Sequence, residues 1–212
     1  MSQKKSLTRE ESKTIKWYDD QAETWAQKHG LNRDKSLMFQ PEMNILFKLV
    51  PQGKVLEVGT GHGGDAIQLI NHYGVDNYIG VDASSGLLEI AKSRNPTADL
   101  RLCSIYDLDF SNEFDAFWAS AVLIHIPKNK LQLALDRLKE AIKTAGIGFI
   151  SVMEGSADMD ESRPGRHYSL WSKDEFEREL FLAGFEIIHH RKIKEPGNAP
   201  WLTYLIKKVI LS

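Results

Sequence analysis

The chain has 212 residues, of which 27 are basic and 29 acidic, so its net charge is −2. This length predicts a single domain with a sizeable core, and the balanced charge argues against a nucleic-acid partner. The single cysteine, Cys103, excludes an internal disulfide and a cysteine-rich zinc site, and we expect no metal. No apolar run approaches the roughly 20 residues of a membrane span, and no secretory leader is visible, so we expect a cytoplasmic protein.

The segment before the first strand predicts two helices. Tyr18 and Trp25 belong to an apolar series at helical spacing, and Thr8 and Glu11 upstream are spaced for a capping box within an otherwise frayed start. A second helix is predicted over about 36–49. Helices in this place would pack against the sheet and lean over its ligand cleft. We interpret Tyr18 as a lid residue and Trp25 as a core aromatic.

From Lys54 onward apolar strands alternate with amphipathic helices, which favours a parallel sheet covered on both faces. The predicted strands are Val55–Val58, Tyr78–Val81, about Asp99–Cys103, Phe114–Ser120, Gly146–Val152, Phe185–His190 and Trp201–Val209. The last two strands are joined by a turn, which is too short for a parallel crossover, so they must form an antiparallel hairpin. The sequence therefore predicts an α/β fold with a seven-stranded, mostly parallel sheet and an antiparallel last strand.

The glycines after the first strand predict a ligand site. Gly59, Gly61 and Gly63 lie at alternate positions between strand and helix, where a ligand would meet bare backbone and the free N–H groups of a helix N-terminus. These glycines alone are ambiguous, because Gly59, Gly61 and Gly64 also satisfy the dinucleotide-binding fingerprint. Glu57 argues against a pyrophosphate, which it would repel, and suits a ligand that carries an ammonium group and a sulfonium.

Two motifs carry a resemblance to a known family. The run from Glu57 to Gly63 matches acid-x-Gly-x-Gly-x-Gly, the first motif of class I, Rossmann-like S-adenosylmethionine-dependent methyltransferases, at every fixed position. Residues 113–127, in which Phe-Asp opens a strand and His-Ile-Pro follows it, resemble the fourth-strand motif of the small-molecule members. The chain is similar to that family from about Val55 to Pro127. The resemblance implies a Rossmann-like fold with two extra N-terminal helices, S-adenosyl-L-methionine as cofactor, S-adenosyl-L-homocysteine as product and a small-molecule acceptor.

The same resemblance assigns the residues that contact the cofactor. Asp82 ends a strand and is placed to accept both ribose hydroxyls. Ser104 stands where many relatives carry an acid for the adenine amino group, so the contact falls either to Ser104 or to Asp107, with Ile105 packed on the ring. The full predicted set is Glu57, Gly59, Thr60, Gly61, Gly63, Asp82, Ala83, Ser104, Ile105, Ala119 and Ser120.

Catalytic residues are harder to predict, because methyl transfer needs alignment and water exclusion and requires a base only when the acceptor is protonated. The candidates are His125, Tyr18 and His167, although His125 is equally compatible with a structural histidine at a helix start. Arg163, Arg166 and Tyr168 lie near His167 in the same connection, and the four together would suit a carboxylate or phosphate. Four acids precede them in the same connection, and this pattern favours a self-neutralising surface loop.

We therefore predict an S-adenosylmethionine-dependent methyltransferase for a small molecule, with a helical cap over residues 1–52 and a cofactor-binding domain over residues 53–212 in one compact unit. Two alternatives stay open. The first is a non-catalytic sensor or subunit that binds S-adenosylmethionine. The second, with less support, is an NAD(P)-binding oxidoreductase, which would leave Glu57 and the fourth-strand motif unexplained. We expect a monomer or homodimer without a nucleic-acid or membrane partner.

Overall fold

The computed structural model describes residues 7–31, 38–156, 165–194, 197 and 199–209. The helices of this part of the chain are α1 (Arg9–Asp20), α2 (Ala22–Ala26), α3 (Gln40–Leu49), α4 (Gly64–Tyr73), α5 (Ser85–Arg94), α6 (Leu131–Ala141) and α7 (Lys173–Leu182). The strands are β1 (Val55–Val58), β2 (Tyr78–Asp82), β3 (Asp99–Leu102), β4 (Phe114–Ala119), β5 (Ile142–Glu154), β6 (Leu170–Trp171), β7 (Phe185–Ile193) and β8 (Trp201–Lys208). None of these helices is both long enough and apolar enough to cross a membrane.

The strands form one sheet in the order β3-β2-β1-β4-β5-β8-β7, and β6 pairs with the end of β5. Pairs from β3 to β5 are parallel, whereas β8 runs antiparallel to both β5 and β7. The predicted α/β fold with an antiparallel last strand is confirmed. The two-residue β6 adds an eighth strand inside a connection that the sequence predicts as polar and irregular, and it was missed because two residues show no periodicity.

Apolar side chains cover both faces of the sheet. All four residues of β1 are buried, as expected of a central parallel strand with helices on both sides. Trp118 on β4 stacks on Phe149 of β5 with ring centroids 3.8 Å apart, in the core cluster that also contains side chains of α3 and α4. A second cluster joins β4 and β5 to α6 and α7. These two clusters hold the central strands in place, and with them the carboxyl ends of β1, β2 and β4.

The N-terminal helical segment begins earlier than the polar composition of its start indicates. Thr8 Oγ1 accepts from the backbone N–H of Glu11, and Glu11 Oε2 accepts from the N–H of Thr8 at 2.7 Å. This confirms the capping box, and α1 is ordered from Arg9 instead of frayed as expected. A break at Gln21 separates α1 from α2, and one π-helical turn, Gln27–Leu31, follows. The predicted start of the next helix, near residue 36, lies outside the described residues.

Two acidic residues of α1 attach this helix to segments that follow the carboxyl ends of β2, β3 and β4. Glu11 is buried, where it accepts from the hydroxyl of Tyr106 and from Lys130 Nζ at 3.0 Å. Burial alone would raise the pKa of Glu11, but these bonds together hold it below its ordinary value. Asp19 Oδ1 accepts from Ser84 Oγ at 2.7 Å, at the start of α5. The two attachments place α1 across the carboxyl ends of the strands.

Candidate active site

A cleft opens at the carboxyl ends of β1, β2 and β4, beneath α1. Its empty volume is about 940 Å³, including the part open to solvent. The walls include Glu11, Thr14, Ile15, Tyr18, Trp25, Gly59, Gly61, Asp82, Ala83, Ser84, Cys103, Ser104, Ile105, Ser120, Ala121, Val122 and His125. This position agrees with the general rule for open α/β sheets, in which ligands bind outside the carboxyl ends of the strands.

The loop between β1 and α4 supplies backbone to one wall of the cleft. Gly59 and Gly61 have φ values of +74° and +57°, which L side chains rarely adopt. A Cβ on Gly59 would lie 2.1 Å from Val122 Cγ2, whereas a Cβ on Gly61 would meet only the Gly59 carbonyl oxygen, at 3.9 Å. The loop therefore turns sharply at Gly59 and leaves open space above Gly61, as the sequence predicted.

Asp82 is held by the backbone on both sides. Its Oδ2 accepts from the N–H of Gly61 at 2.7 Å, and its Oδ1 accepts from the N–H of Ser84 at 2.8 Å. Burial raises the pKa of this carboxyl, against the lowering effect of the backbone hydrogen bonds. Each oxygen retains a lone pair after these bonds. A carboxylate fixed in this way at the cleft can accept two hydrogen bonds from a pair of vicinal hydroxyls.

Four residues predicted to contact the cofactor do not line the cleft: Glu57, Thr60, Gly63 and Ala119. Glu57 is buried and accepts from the hydroxyl of Tyr78. Burial, with the nearby Asp65 as the next cause, raises the pKa of Glu57 well above its ordinary value. The carboxyl group thus lies in the protein interior behind the glycine loop, and its contact with an ammonium group stays a prediction.

Ser104 and Ile105 line the cleft where β3 ends, on the far side of Asp82. Ser104 Oγ accepts from the N–H of Tyr106 at 3.3 Å and caps a short 3-10 turn. Its hydroxyl proton is still available to a ligand. Asp107, the alternative residue for the adenine contact, does not line the cleft. The geometry therefore favours Ser104 for this contact.

Tyr18 and His125 meet across the cleft from the glycine loop. His125 Nδ1 lies 2.7 Å from the carbonyl oxygen of His167, and Tyr18 Oη lies 2.9 Å from His125 Nε2. Because a carbonyl can only accept, Nδ1 carries the proton, and Nε2 of the neutral imidazole accepts from the Tyr18 hydroxyl. Burial raises the pKa of Tyr18 above its ordinary value, which keeps the phenol protonated. The two side chains therefore form a directed proton path.

His167 is placed differently from the prediction. Its imidazole does not line the cleft; instead Nε2 lies 2.9 Å from Ser169 Oγ, whose hydroxyl donates to the carbonyl of Ile126. Its backbone N–H donates to Thr14 Oγ1, which ties α1 to this segment. The residue contributes its carbonyl to the site, by orienting His125, and not its ring.

The sequence interpretation missed three features of the cleft. Trp25 was assigned to the core but lines the cleft. Ala121 adopts φ +56°, an unfavourable conformation for a residue with a side chain, and its N–H donates to Ser151 Oγ. Arg166 was assigned to a self-neutralising surface loop, but its guanidinium lies among aromatic rings beside Tyr18. None of the three has a local sequence signal, because each depends on contacts between distant segments.

Comparison with known proteins identifies the type of domain. Residues 55–146 match the family model described as "Methyltransferase domain". Over 94 residues, 44% of this chain, the sequence is 28% identical to trans-aconitate 2-methyltransferase of Rhizobium rhizogenes. The match covers only 36% of that relative's length.

Two solved structures share the fold over nearly the entire chain. Burkholderia thailandensis 1,6-didemethyltoxoflavin-N1-methyltransferase, with its substrate and S-adenosylhomocysteine bound, is 17% identical with a TM-score of 0.69, covering 97% of this chain and 92% of its own. Magnesium protoporphyrin IX methyltransferase of Synechocystis PCC 6803, with S-adenosylmethionine bound, is 15% identical with a TM-score of 0.74, covering 97% and 100%. Residues 55–146 thus resemble a methyltransferase domain, and the chain shares the fold of these two S-adenosylmethionine-dependent methyltransferases. The resemblance first seen in Glu57–Gly63 and residues 113–127 is confirmed.

Proposed function

We propose that the protein transfers a methyl group from S-adenosyl-L-methionine to a small-molecule acceptor. The observation that carries this proposal is a single cleft with two chemically different walls. One wall holds the glycine backbone and a carboxylate fixed by two N–H groups. The other holds a directed pair of proton-carrying side chains. A dinucleotide oxidoreductase would leave Glu57 and the fourth-strand motif unexplained.

The first wall suits the cofactor. Asp82 would accept the ribose hydroxyls, Ser104 and Ile105 would hold the adenine, and the methionine part would lie over Gly59 and Gly61, where no side chain intrudes. Ala83 and Ser120 line the same region. Glu57 would contact the ammonium group, whose positive charge would favour the ionised carboxylate that burial disfavours in the ligand-free protein.

The second wall suits the acceptor. When bound, the cofactor supplies a methyl group already activated by its positive sulfur, so the protein needs chiefly to align the acceptor and exclude water. For a protonated oxygen or nitrogen acceptor, Tyr18 Oη would take the proton while passing its own to His125 Nε2. The His167 carbonyl would stabilise the imidazolium through Nδ1–H.

The cap function of the N-terminal segment, residues 1–52, belongs to the same proposal. Five residues of α1 or its start line the cleft: Leu7, Glu11, Thr14, Ile15 and Tyr18. A helix anchored at both ends over the reacting atoms would keep water from them. Residues 53–212 would then bind the cofactor, with the cap completing the acceptor side. The oligomeric state, monomer or homodimer, and a cytoplasmic location stay predictions.

Ligand binding tests the cofactor assignment first. S-adenosylhomocysteine at about 100 times its dissociation constant should stabilise the fold by roughly 2.7 kcal/mol, while NAD and NADP leave the melting temperature unchanged. A shift with NADH and none with S-adenosylhomocysteine would refute the proposal. Saturable S-adenosylhomocysteine binding without turnover on any acceptor would favour the sensor or subunit alternative.

Turnover is then measured as methyl transfer from labelled S-adenosylmethionine. The acceptors tested are a panel of small molecules. The panel includes trans-aconitate, because one relative is a trans-aconitate 2-methyltransferase. Tyr18→Phe and His125→Ala should lower turnover while the affinity for S-adenosylhomocysteine stays within a few-fold of wild type. Tyr73→Phe is the matched control, because it also removes a buried tyrosine hydroxyl, one with no hydrogen-bond partner among the described residues and outside the cleft. Equal losses in all three variants would remove the proton path from the mechanism.

A further inference from the structure

Arg166 lies inside a cage of four aromatic side chains. Its guanidinium carbon is 4.0 Å from the ring centroid of Trp17, 5.0 Å from that of Trp25, 5.3 Å from Tyr168 and 5.6 Å from Tyr18. Three of these rings come from α1 and α2, and the fourth follows Arg166 itself. Two of the caging residues, Tyr18 and Trp25, line the cleft. The guanidinium does not itself line the cleft and is partly exposed, but it lies directly beside two side chains of the acceptor-side wall.

The charge of Arg166 is not neutralised within the described part of the chain. No described carboxylate lies within ion-pair distance of it. Its Nε is buried without a hydrogen-bond partner, and Nη1 makes one long bond of 3.4 Å to Tyr18 Oη. Arg191 shows the contrast, since its Nε and Nη2 bind both oxygens of Glu42 at 2.6 and 2.7 Å. Aromatic faces attract the cation but accept no bond from N–H groups in the guanidinium plane.

A planar cation with unused in-plane donors is the complement of an oxyanion. Guanidinium binds carboxylate and phosphate through two parallel N–H···O bonds, and stacking on rings fixes the plane of the fork beforehand. The cage cannot serve an organic cation without expelling Arg166, because the guanidinium already occupies it and repels a second positive charge. Tyr18 touches both Arg166 and His125, so an anion held there would lie next to the proton path.

We propose that Arg166 binds a carboxylate or phosphate group of the acceptor and so restricts the acceptor to anionic small molecules. This inference rests on the proposed function, since it assigns a ligand class to the acceptor side of the same cleft. The anion would be bound through the two Nη groups of Arg166, beside Tyr18 Oη. The aromatic cage holds the guanidinium plane, and the anion, once bound, neutralises the charge that the described part of the fold leaves unpaired.

The test uses the full chain saturated with S-adenosylhomocysteine and ligand-observed NMR, which needs no turnover. The probes are tricarballylate, its uncharged triamide, inorganic phosphate and tetramethylammonium. Tricarballylate or phosphate should bind, and the triamide and tetramethylammonium should not. Arg166→Gln should weaken anion binding at least tenfold, and Arg166→Lys, which keeps the charge but loses the two-pronged fork, should weaken it less. Binding of tricarballylate alone assigns a carboxylate, and binding of phosphate alone assigns a phosphate.

Arg178→Gln is the control, because it makes the same charge change on an exposed arginine of α7 and should leave anion binding unaltered. Two outcomes overturn the inference: anion affinity unchanged in Arg166→Gln, or tetramethylammonium bound by the wild type in place of anions. If Arg166→Gln fails to fold, unchanged anion affinity in Arg166→Lys overturns it instead. The affinity for S-adenosylhomocysteine is measured on every variant. If the proposed function is wrong, the wild type itself does not bind S-adenosylhomocysteine; if only the anion proposal is wrong, cofactor binding is intact.

Discussion

Replacing Gly61 by alanine separates the structural role of the glycine loop from its role in binding. The left-handed backbone, φ +57°, costs an L residue about 1–2 kcal/mol. No steric term adds to this, because the new Cβ would meet only the Gly59 carbonyl oxygen, at 3.9 Å, within the described structure. A domain of this size loses about 2–4 °C of melting temperature per kcal/mol, so Gly61→Ala should melt about 2–8 °C below wild type.

If the cofactor lies over this loop as proposed, the new methyl group at Gly61 would overlap it. Forcing a methyl into an occupied site costs about 1–3 kcal/mol, a loss of roughly 5- to 150-fold in affinity. Isothermal titration with S-adenosylhomocysteine measures this loss, and differential scanning calorimetry of the ligand-free protein measures the first effect.

Gly197→Ala is the control for the backbone term. Gly197 has φ +75° in the turn between β7 and β8, and a Cβ there would meet no described atom within 4 Å. This variant should lose a similar melting temperature and no cofactor affinity. If Gly61→Ala binds S-adenosylhomocysteine as tightly as wild type, the cofactor does not lie over this loop. A much larger fall in melting temperature than that of Gly197→Ala would mean that Gly61 has a packing role that the structure does not explain.

Other predictions address the buried charges. Because the pKa of Glu57 is raised in the fold, its contribution to stability is present below the unfolded-state pKa and is lost as pH rises toward the folded-state pKa. Glu57→Gln should therefore raise the melting temperature relative to wild type more at pH 8 than at pH 4. The opposite trend would show an ionised Glu57. Arg191→Ala leaves the fully buried Glu42 unpaired and should cost about 3–5 kcal/mol in denaturant unfolding, so a loss below 1 kcal/mol would contradict the pairing. Asp82→Asn places an amide N–H₂ against a backbone donor and should destabilise the ligand-free protein by about 1–3 kcal/mol while weakening S-adenosylhomocysteine; unchanged calorimetric stability would mean that the loop rearranges around it. Ser104→Ala should reduce cofactor affinity by about 0.5–1.5 kcal/mol, and a loss in Asp107→Ala instead would move the adenine contact.

Much of the fold was predictable because its signals are local. Strand-to-helix alternation after Lys54 and the short turn before β8 indicate the directions of the main strands, which the structure confirms. Gly59 and Gly61 mark the sharp turn, since positive φ values are costly for other residues. The two-residue strand β6 was not predictable, because it is defined by its pairing with β5 and not by a pattern in its own sequence.

A site residue was predictable only where its position along its own strand determines whether its side chain reaches the cleft. Asp82 is the last residue of β2 and therefore reaches the cleft. Glu57, by contrast, lies within β1, and the alternation of side chains in a strand turns it toward Tyr78 and away from the cleft. The cage around Arg166 joins segments about 140 residues apart. No window of the sequence contains both partners, so neither composition nor spacing predicts it.

The anchoring of α1 has a consequence for how the molecule assembles. α1 binds partners that lie 65, 95, 119 and 153 residues further along the chain: Ser84, Tyr106, Lys130 and His167. Contacts over such separations form late, because chain-closure entropy must be overcome before they contribute. Trp17 and Tyr18 therefore stay without their final neighbours until the segment after β5 has been made. α1 therefore docks late although it is made before its partners, and the cleft closes only once the segment that contains His167 has been made.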